Sequence, residues 1–142
     1  MSRTTDESLA RALVAQSEGL GPRIVRNLVE ELEGEVLSLV ETPESLRSVS
    51  VEGLGEKRID NLIENLRNWS VDRARERLEK KSVGLLSSAD EAYPTSLDEI
   101  YDPPPVLFYR GDPSVLDAPR LAVVGTRKGS EFGKNFTQKL TR

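Results

Sequence analysis

Residues Gly19–Leu32 (GLGPRIVRNLVEEL) align without gaps on Gly53–Leu66 (GLGEKRIDNLIENL) at an offset of 34, with seven of the fourteen positions identical. Val25/Ile59 and Val29/Ile63 are near-equivalent pairs. A fold that suits one copy must therefore be built twice. In each copy a Gly-Leu-Gly turn precedes an apolar stripe at helical spacing: Ile24, Val25, Leu28, Val29 and Leu32 in the first, Ile59, Leu62, Ile63 and Leu66 in the second. Pro22 suits a first helical turn. The period of 34 is that of tetratricopeptide repeats, but their Trp, Tyr and terminal Pro positions are missing. A helix, a tight glycine turn and a second helix fit better.

Further stripes extend the helical reading over the first half. Leu9, Ala10, Leu13 and Val14 form one, and Val36 to Val40 a shorter one. Thr42 is placed to cap a helix carrying Leu46 and Val49. Residues 71–81 (VDRARERLEKK) read as a charged surface helix. Near residue 82 the chain changes character. Trp69 is the first aromatic residue, every Tyr and Phe lies at or beyond Tyr93, and six of eight prolines lie at or beyond Pro94. Three short apolar runs, 83–88, 106–111 and 120–125, read as strands. Between the first two lie one helical turn around Leu97 to Ile100 and an extended Pro103-Pro104-Pro105. Residues 130–142 read as a helix with Phe132, Phe136 and Leu140 on one face. The expected fold class is α+β leaning to α/β, with a helical domain over 1–82 and a second unit over 83–142. Trp69 is expected at the seam between them. Tyr93, Tyr101, Phe108 and Tyr109 are expected to pack rather than to stack on bases.

The chemistry is narrowed by two absences. Among 142 residues there is no His and no Cys, which excludes an imidazole general base, a thiolate nucleophile and thiolate metal or cluster ligands. Asp90-Glu91, Asp98-Glu99 and Asp102 sit among turn signals, where local caps and solvated side chains are the usual roles. No catalytic residue, metal site or cofactor is expected. No run approaches the roughly 18 apolar residues of a membrane span, so the expectation is a soluble cytoplasmic protein with no membrane partner.

Charge is unevenly spread. Residues 1–82 carry 13 basic and 16 acidic groups (net −3), residues 83–119 carry 1 and 7 (net −6), and residues 120–142 carry 6 and 1 (net +5). The basic segment coincides with RLAVVGTRKGSEFGKNF, an apolar run ending in Gly125 that leads into a helix. That arrangement brings backbone amides and a helix N-terminus to an anion. Gly125, Gly129 and Gly133 permit close approach, and Arg127 and Lys128 supply charge. The spacing is neither the dinucleotide fingerprint nor a phosphate-binding P-loop. Phosphate binding stands beside a plain strand–helix turn with solvated basic side chains. The Gly-Leu-Gly turns resemble helix-hairpin-helix elements, which hold a nucleic-acid phosphate on turn amides and a helix N-terminus. Their candidate residues are Gly19, Gly21, Arg23 and Arg26 in the first copy, and Gly53, Gly55, Lys57 and Arg58 in the second. Glu18, Glu52 and Glu56 oppose that role, so a structural or protein-contact role stands against it.

Three segments in order, GLGPRIVRNLVEEL, YPTSLDEIYDPPPVLFYRGD and LAVVGTRKGSEFG, resemble the DNA-processing protein A family, also called Smf or DprA. The second segment is the most specific. The resemblance implies a helical N-terminal domain of sterile-alpha-motif or helix-hairpin-helix type, followed by a Rossmann-like domain. It implies single-stranded DNA binding in recombination and natural transformation, with RecA recombinase as partner and a homodimer in the complete family protein. The family's Gly-Ser/Thr-Arg element falls on Gly125, Thr126 and Arg127. Arg127 would then contact DNA, Thr126 and the Gly125 backbone would shape the pocket, and Ser130, Phe132 and Gly133 would set the turn and pack the helix. Lys128 is added on charge alone. A Rossmann-like sheet needs several βα units, and this sequence reaches only the first helix, so a truncated or fragmentary second domain with open strand edges is expected. Two other function classes remain. One is a Rossmann-like nucleotide-binding domain such as the lysine-decarboxylase-like phosphoribohydrolases; the other is a helical protein-interaction module.

Overall fold

The computed structural model describes residues 4–119 and 121–141. The chain is rich in helix with one small antiparallel sheet, an α+β arrangement. Helix α1 (Asp6–Gln16) is capped by Thr5, whose hydroxyl accepts from the Ser8 amide at 3.1 Å. Helix α2 (Pro22–Glu31) starts on Pro22, and α4 (Glu56–Arg67) is its repeat partner. Between them lie a single turn, α3 (Ser38–Glu41), and a 3-10 helix, Pro43–Ser48. Thr42 does not cap the latter. Its hydroxyl bonds the Ser38 carbonyl at 3.1 Å, because α3 ends one residue earlier and leaves that acceptor within reach. Leu46 is buried as expected, whereas Val49 lies beyond the 3-10 helix and packs on the core from its side.

The main core gathers the apolar stripes of both repeats. Val25 and Leu28 from α2 meet Leu62, Ile63 and Leu66 from α4, with Val14, Leu39 and Leu46 filling between. Each fully buried Leu contributes about 1.5–3 kcal/mol over its exposed state. A second cluster forms beside it, where Leu9 and Ala12 of α1 meet Leu85, with flanking apolar atoms from Val71, Ala74 and Leu78 of α5 (Val71–Lys80). Trp69 packs against both clusters.

The sheet consists of β1 (Gly84–Ser87) and β2 (Val106–Tyr109), paired antiparallel from Gly84 opposite Tyr109 to Ser87 opposite Val106. The Tyr109 ring lies where a β-carbon on residue 84 would sit, so any larger residue there would have to displace the ring. The connection carries one turn of helix, α6 (Thr95–Asp98), slightly earlier than expected. Tyr93 is buried, and its hydroxyl donates to the Pro104 carbonyl at 2.6 Å, which ties the polyproline stretch down. Tyr101 is almost fully exposed and Phe108 half so; neither fills the packing role expected of it.

Beyond β2 the chain runs through a 3-10 helix, Pro113–Asp117, to α7 (Glu131–Leu140). The third expected strand is not formed. Arg120 lies outside the described residues, and Leu121 to Gly125 are exposed without regular structure. A strand is stabilised by pairing with a neighbour, and this apolar run meets no sheet edge. The helix after it forms where expected, but Phe132 (80% exposed) and Phe136 (57%) stack on each other at 6.3 Å and not on a core. The packing role expected of Phe132 is therefore not observed.

Candidate functional site

Two places carry the sequence-derived candidates. The first is the approach to α7. Ser130 is the N-cap: its Oγ accepts from the Gly133 amide at 3.2 Å, which occupies one of the otherwise free amides of the first turn. Its direct use is thus to start the helix. Glu131 sits in that turn and is paired with Lys134 at 2.7 Å. Gly125 has open space around its α-carbon, and Gly129 lies 3.9 Å from the Thr126 carbonyl, measured from the β-carbon position it lacks. Arg127 and Lys128 form a turn, are exposed and make no ion pair among the described residues. Gly125, Thr126, Arg127, Lys128 and Ser130 thus share one exposed basic loop feeding a helix N-terminus.

The second place is the pair of glycine turns, and here the repeat in sequence becomes a repeat in space. Gly19 (φ +80°) and Gly53 (φ +86°) both take the left-handed backbone that glycine accepts without strain. Gly21 and Gly55 both serve as N-caps, of α2 and α4, with no side chain covering the first amides. Ile24 and Arg58 occupy equivalent positions of the two copies. A β-carbon on Gly53 would meet Ile24 Cδ1 at 3.1 Å, and one on Gly19 would meet Arg58 Nε at 3.3 Å. Each copy therefore presses the same position against the other's turn, and the two helix starts lie side by side.

The charges at these turns are partly committed. Arg58 donates to the carbonyl of Gly53, its own turn, which explains its position without a ligand. Arg23 faces Glu52 at 3.8 Å, and Arg26 faces Glu30 at 3.9 Å while donating to the Tyr101 carbonyl at 3.2 Å. Lys57 is exposed and without an ion pair among the described residues.

Sequence reasoning passed over a buried polar junction. Asp90 Oδ2 accepts from Ser8 Oγ and from the Ser87 amide, both at 2.6 Å, and from Ser87 Oγ at 3.0 Å. Ser8 and Ser87 are fully buried, so this one carboxylate ties α1 to the end of β1. Beside it Arg11, only 6% exposed, bonds Glu7 (2.7 Å), Ser88 (2.9 Å) and the Gly34 carbonyl (2.8 Å). Glu7 also accepts from the Val36 and Leu37 amides at 3.1 and 2.8 Å. Arg11, Arg26, Tyr93 and Pro103–Pro105 border a cleft of about 220 Å³. No spacing rule links Ser8 to Asp90, 82 residues apart, so no local signal announces this junction. Among the described residues no group of acidic side chains is arranged to hold a metal ion, and no helix is long and apolar enough to cross a membrane.

Residues 84–142 match the family model described as DNA recombination-mediator protein A, and the match starts on the first residue of β1. The chain is 31% identical over 135 residues to the protein Smf of Synechocystis sp., covering 90% of this chain and 33% of that protein. It is 38% identical over 74 residues to the DNA processing protein DprA of Streptococcus pneumoniae, covering 52% of this chain and 26% of that one. With the DNA processing protein DprA of Bacillus subtilis the figures are 36% over 64 residues, 44% and 22%. The chain thus spans a third or less of the length of these relatives. No solved structure matches it. Residues 84–142 thus match the DNA-processing protein A (Smf/DprA) family, and the similarity to the Synechocystis protein extends over 90% of the chain, from the glycine repeat to the basic loop.

Proposed function

We propose that the chain binds single-stranded DNA, without catalysis, in DNA recombination or natural transformation. The observation that carries this reading is the basic loop. Arg127 and Lys128 stand exposed, without an ion pair among the described residues, ahead of the α7 N-terminus, in a segment of net charge +5, on a chain whose relatives are named DNA processing proteins. An exposed guanidinium with no carboxylate to displace meets a phosphate at little desolvation cost. Gly125 and Thr126 leave the backbone open to the ligand. Binding rather than turnover suits a sequence with neither His nor Cys.

In the same reading the helical part, residues 1–82, is a domain of helix-hairpin-helix or sterile-alpha-motif type. Residues 83–142 open a Rossmann-like DNA-binding domain, with RecA recombinase and a second copy as partners of the full-length family protein in the cytoplasm. The reciprocal packing of Ile24 on Gly53 and Arg58 on Gly19 favours the hairpin type, because it sets two uncapped helix starts side by side. Lys57 and Arg23 flank them and would give a weaker, sequence-independent phosphate contact than the loop.

The test is a titration of labelled oligo(dT) across salt concentrations. Arg127→Ala is expected to weaken binding and to lower the slope of log K against log salt by about 0.7, one single-strand phosphate contact. An unchanged slope would count against the loop. Trp69 is the sole tryptophan, and quenching by an oligonucleotide but not by a mononucleotide separates this function from a small-nucleotide site. A response to neither ligand would favour a protein-interaction module.

A further inference from the structure

Helix α5 sorts its charges by sign. Its apolar side, Val71, Ala74 and Leu78, is taken up by the second cluster. On the outer side Arg73, Arg77 and Lys81 follow one another at i, i+4 and i+8, with Lys80 next to them. At 3.6 residues per turn the four cations fill an arc of about 100°. Asp72, Glu76 and Glu79 lie together on the adjoining strip. Arg73, Arg77 and Lys81 are exposed, and none of the three makes an ion pair with a described residue, whereas Lys80 reaches Glu76 at 3.7 Å.

Folding does not account for this row. Like charges at i, i+4 oppose helix formation, where opposite signs would support it. The helix dipole favours Arg77, Lys80 and Lys81 near the C-terminal end, but Arg73 lies in the first turn, at the positive end, where a cation is disfavoured. The ridge runs from that first turn to the C-cap, with cations repeating about every 6 Å along the axis, the scale on which consecutive phosphates recur along one strand.

We propose that the Arg73–Arg77–Lys81 ridge is a second contact surface for the phosphate backbone of single-stranded DNA, carried on the packed body and separate from the Arg127 loop. It rests on the single-strand reading given above. The ridge is one cation wide, and the acidic strip beside it repels a second strand, which favours a single strand over a duplex. The long basic side chains hold phosphates without reading bases, so the contact is indifferent to sequence.

The experiment compares the full chain with R73Q/R77Q/K81Q and, separately, R127A. Anisotropy of labelled oligo(dT) is followed across salt, with a hairpin duplex and polyglutamate as controls. Losing three single-strand phosphate contacts is expected to lower the salt slope by about 2 and to weaken binding by up to about a hundredfold at about 0.1 M salt. The thermal midpoint is expected to hold or rise, since the variant removes like-charge neighbours. Unchanged affinity and slope in the triple variant, with the parent chain binding, overturn the ridge and leave the loop standing. A loss confined to the triple variant, with R127A unchanged, keeps the ridge and overturns the loop. Equal weakening toward the duplex, or displacement of oligo(dT) by polyglutamate, overturns the assignment to a single strand. No binding by the parent chain overturns both.

Discussion

Helices α2 and α7 are each ten residues long, and each carries an apolar stripe with charged residues on the other face. In α2 Leu28 is completely buried between the two repeats. In α7 the equivalent stripe of Phe132, Phe136 and Leu140 stands in solvent, with two rings stacked on one another. Pro22 starts α2 and Ser130 caps α7, but among the described residues only α2 buries its apolar stripe in a core. An amphipathic pattern therefore states that a face is available for burial, and a partner element must be present to bury it.

The sharpest way to break this contrast is truncation of one side chain in each region. Leu28→Ala is expected to cost about 2–5 kcal/mol by transfer loss and cavity formation. Phe136→Ala is expected to stay within about 0.5 kcal/mol, as for exposed positions generally. Urea melts of both variants check the pair, and comparable losses would mean that α7 has a packing partner. The next effect concerns what joins α1 to β1. Asp90→Ala leaves the Ser87 amide without its acceptor, while the buried hydroxyls of Ser8 and Ser87 keep each other at 3.0 Å, at a cost of about 1–3 kcal/mol. Hydrogen exchange is expected to quicken in both α1 and β1, because the carboxylate serves both.

The smallest effect is one of pH. Burial, with Asp98 nearby, pushes the Tyr93 hydroxyl above its ordinary value of about 10. The folded state holds that proton more tightly than the unfolded chain. The associated stability is therefore fully present below the unfolded value and is lost as pH climbs from there through the folded value. Tyr93→Phe removes this alkaline slope together with the bond to Pro104, and costs about 1 kcal/mol at neutral pH. Melts between pH 7 and about 11 check it; an alkaline slope equal in both proteins would contradict the assignment to Tyr93.

Much of the body was legible in sequence because its signals are local. The glycine repeat announced two equivalent turns, and Pro22 and the helix read from residue 130 place two helix starts within a residue of where they occur. The basic loop was equally legible, since charge and glycine spacing need no partner to be counted. What was illegible is what depends on distant residues. Leu121 to Gly125 have the composition of a strand but are not laid against either open edge of the β1–β2 sheet. Thr42 has the chemistry of a cap and finds a nearer carbonyl.

The sequence by itself determined the helices, the twin turns, the reactive groups that are missing and the concentration of positive charge near Arg127, because each follows from neighbours along the chain. Only the tertiary structure decided that the two turns pack reciprocally, that Asp90 joins α1 to β1, and that Arg73, Arg77 and Lys81 make no ion pair among the described residues beside an acidic strip. Burial, pairing and the direction a charge faces are relations between segments far apart in sequence, and they take a value only when the chain has folded.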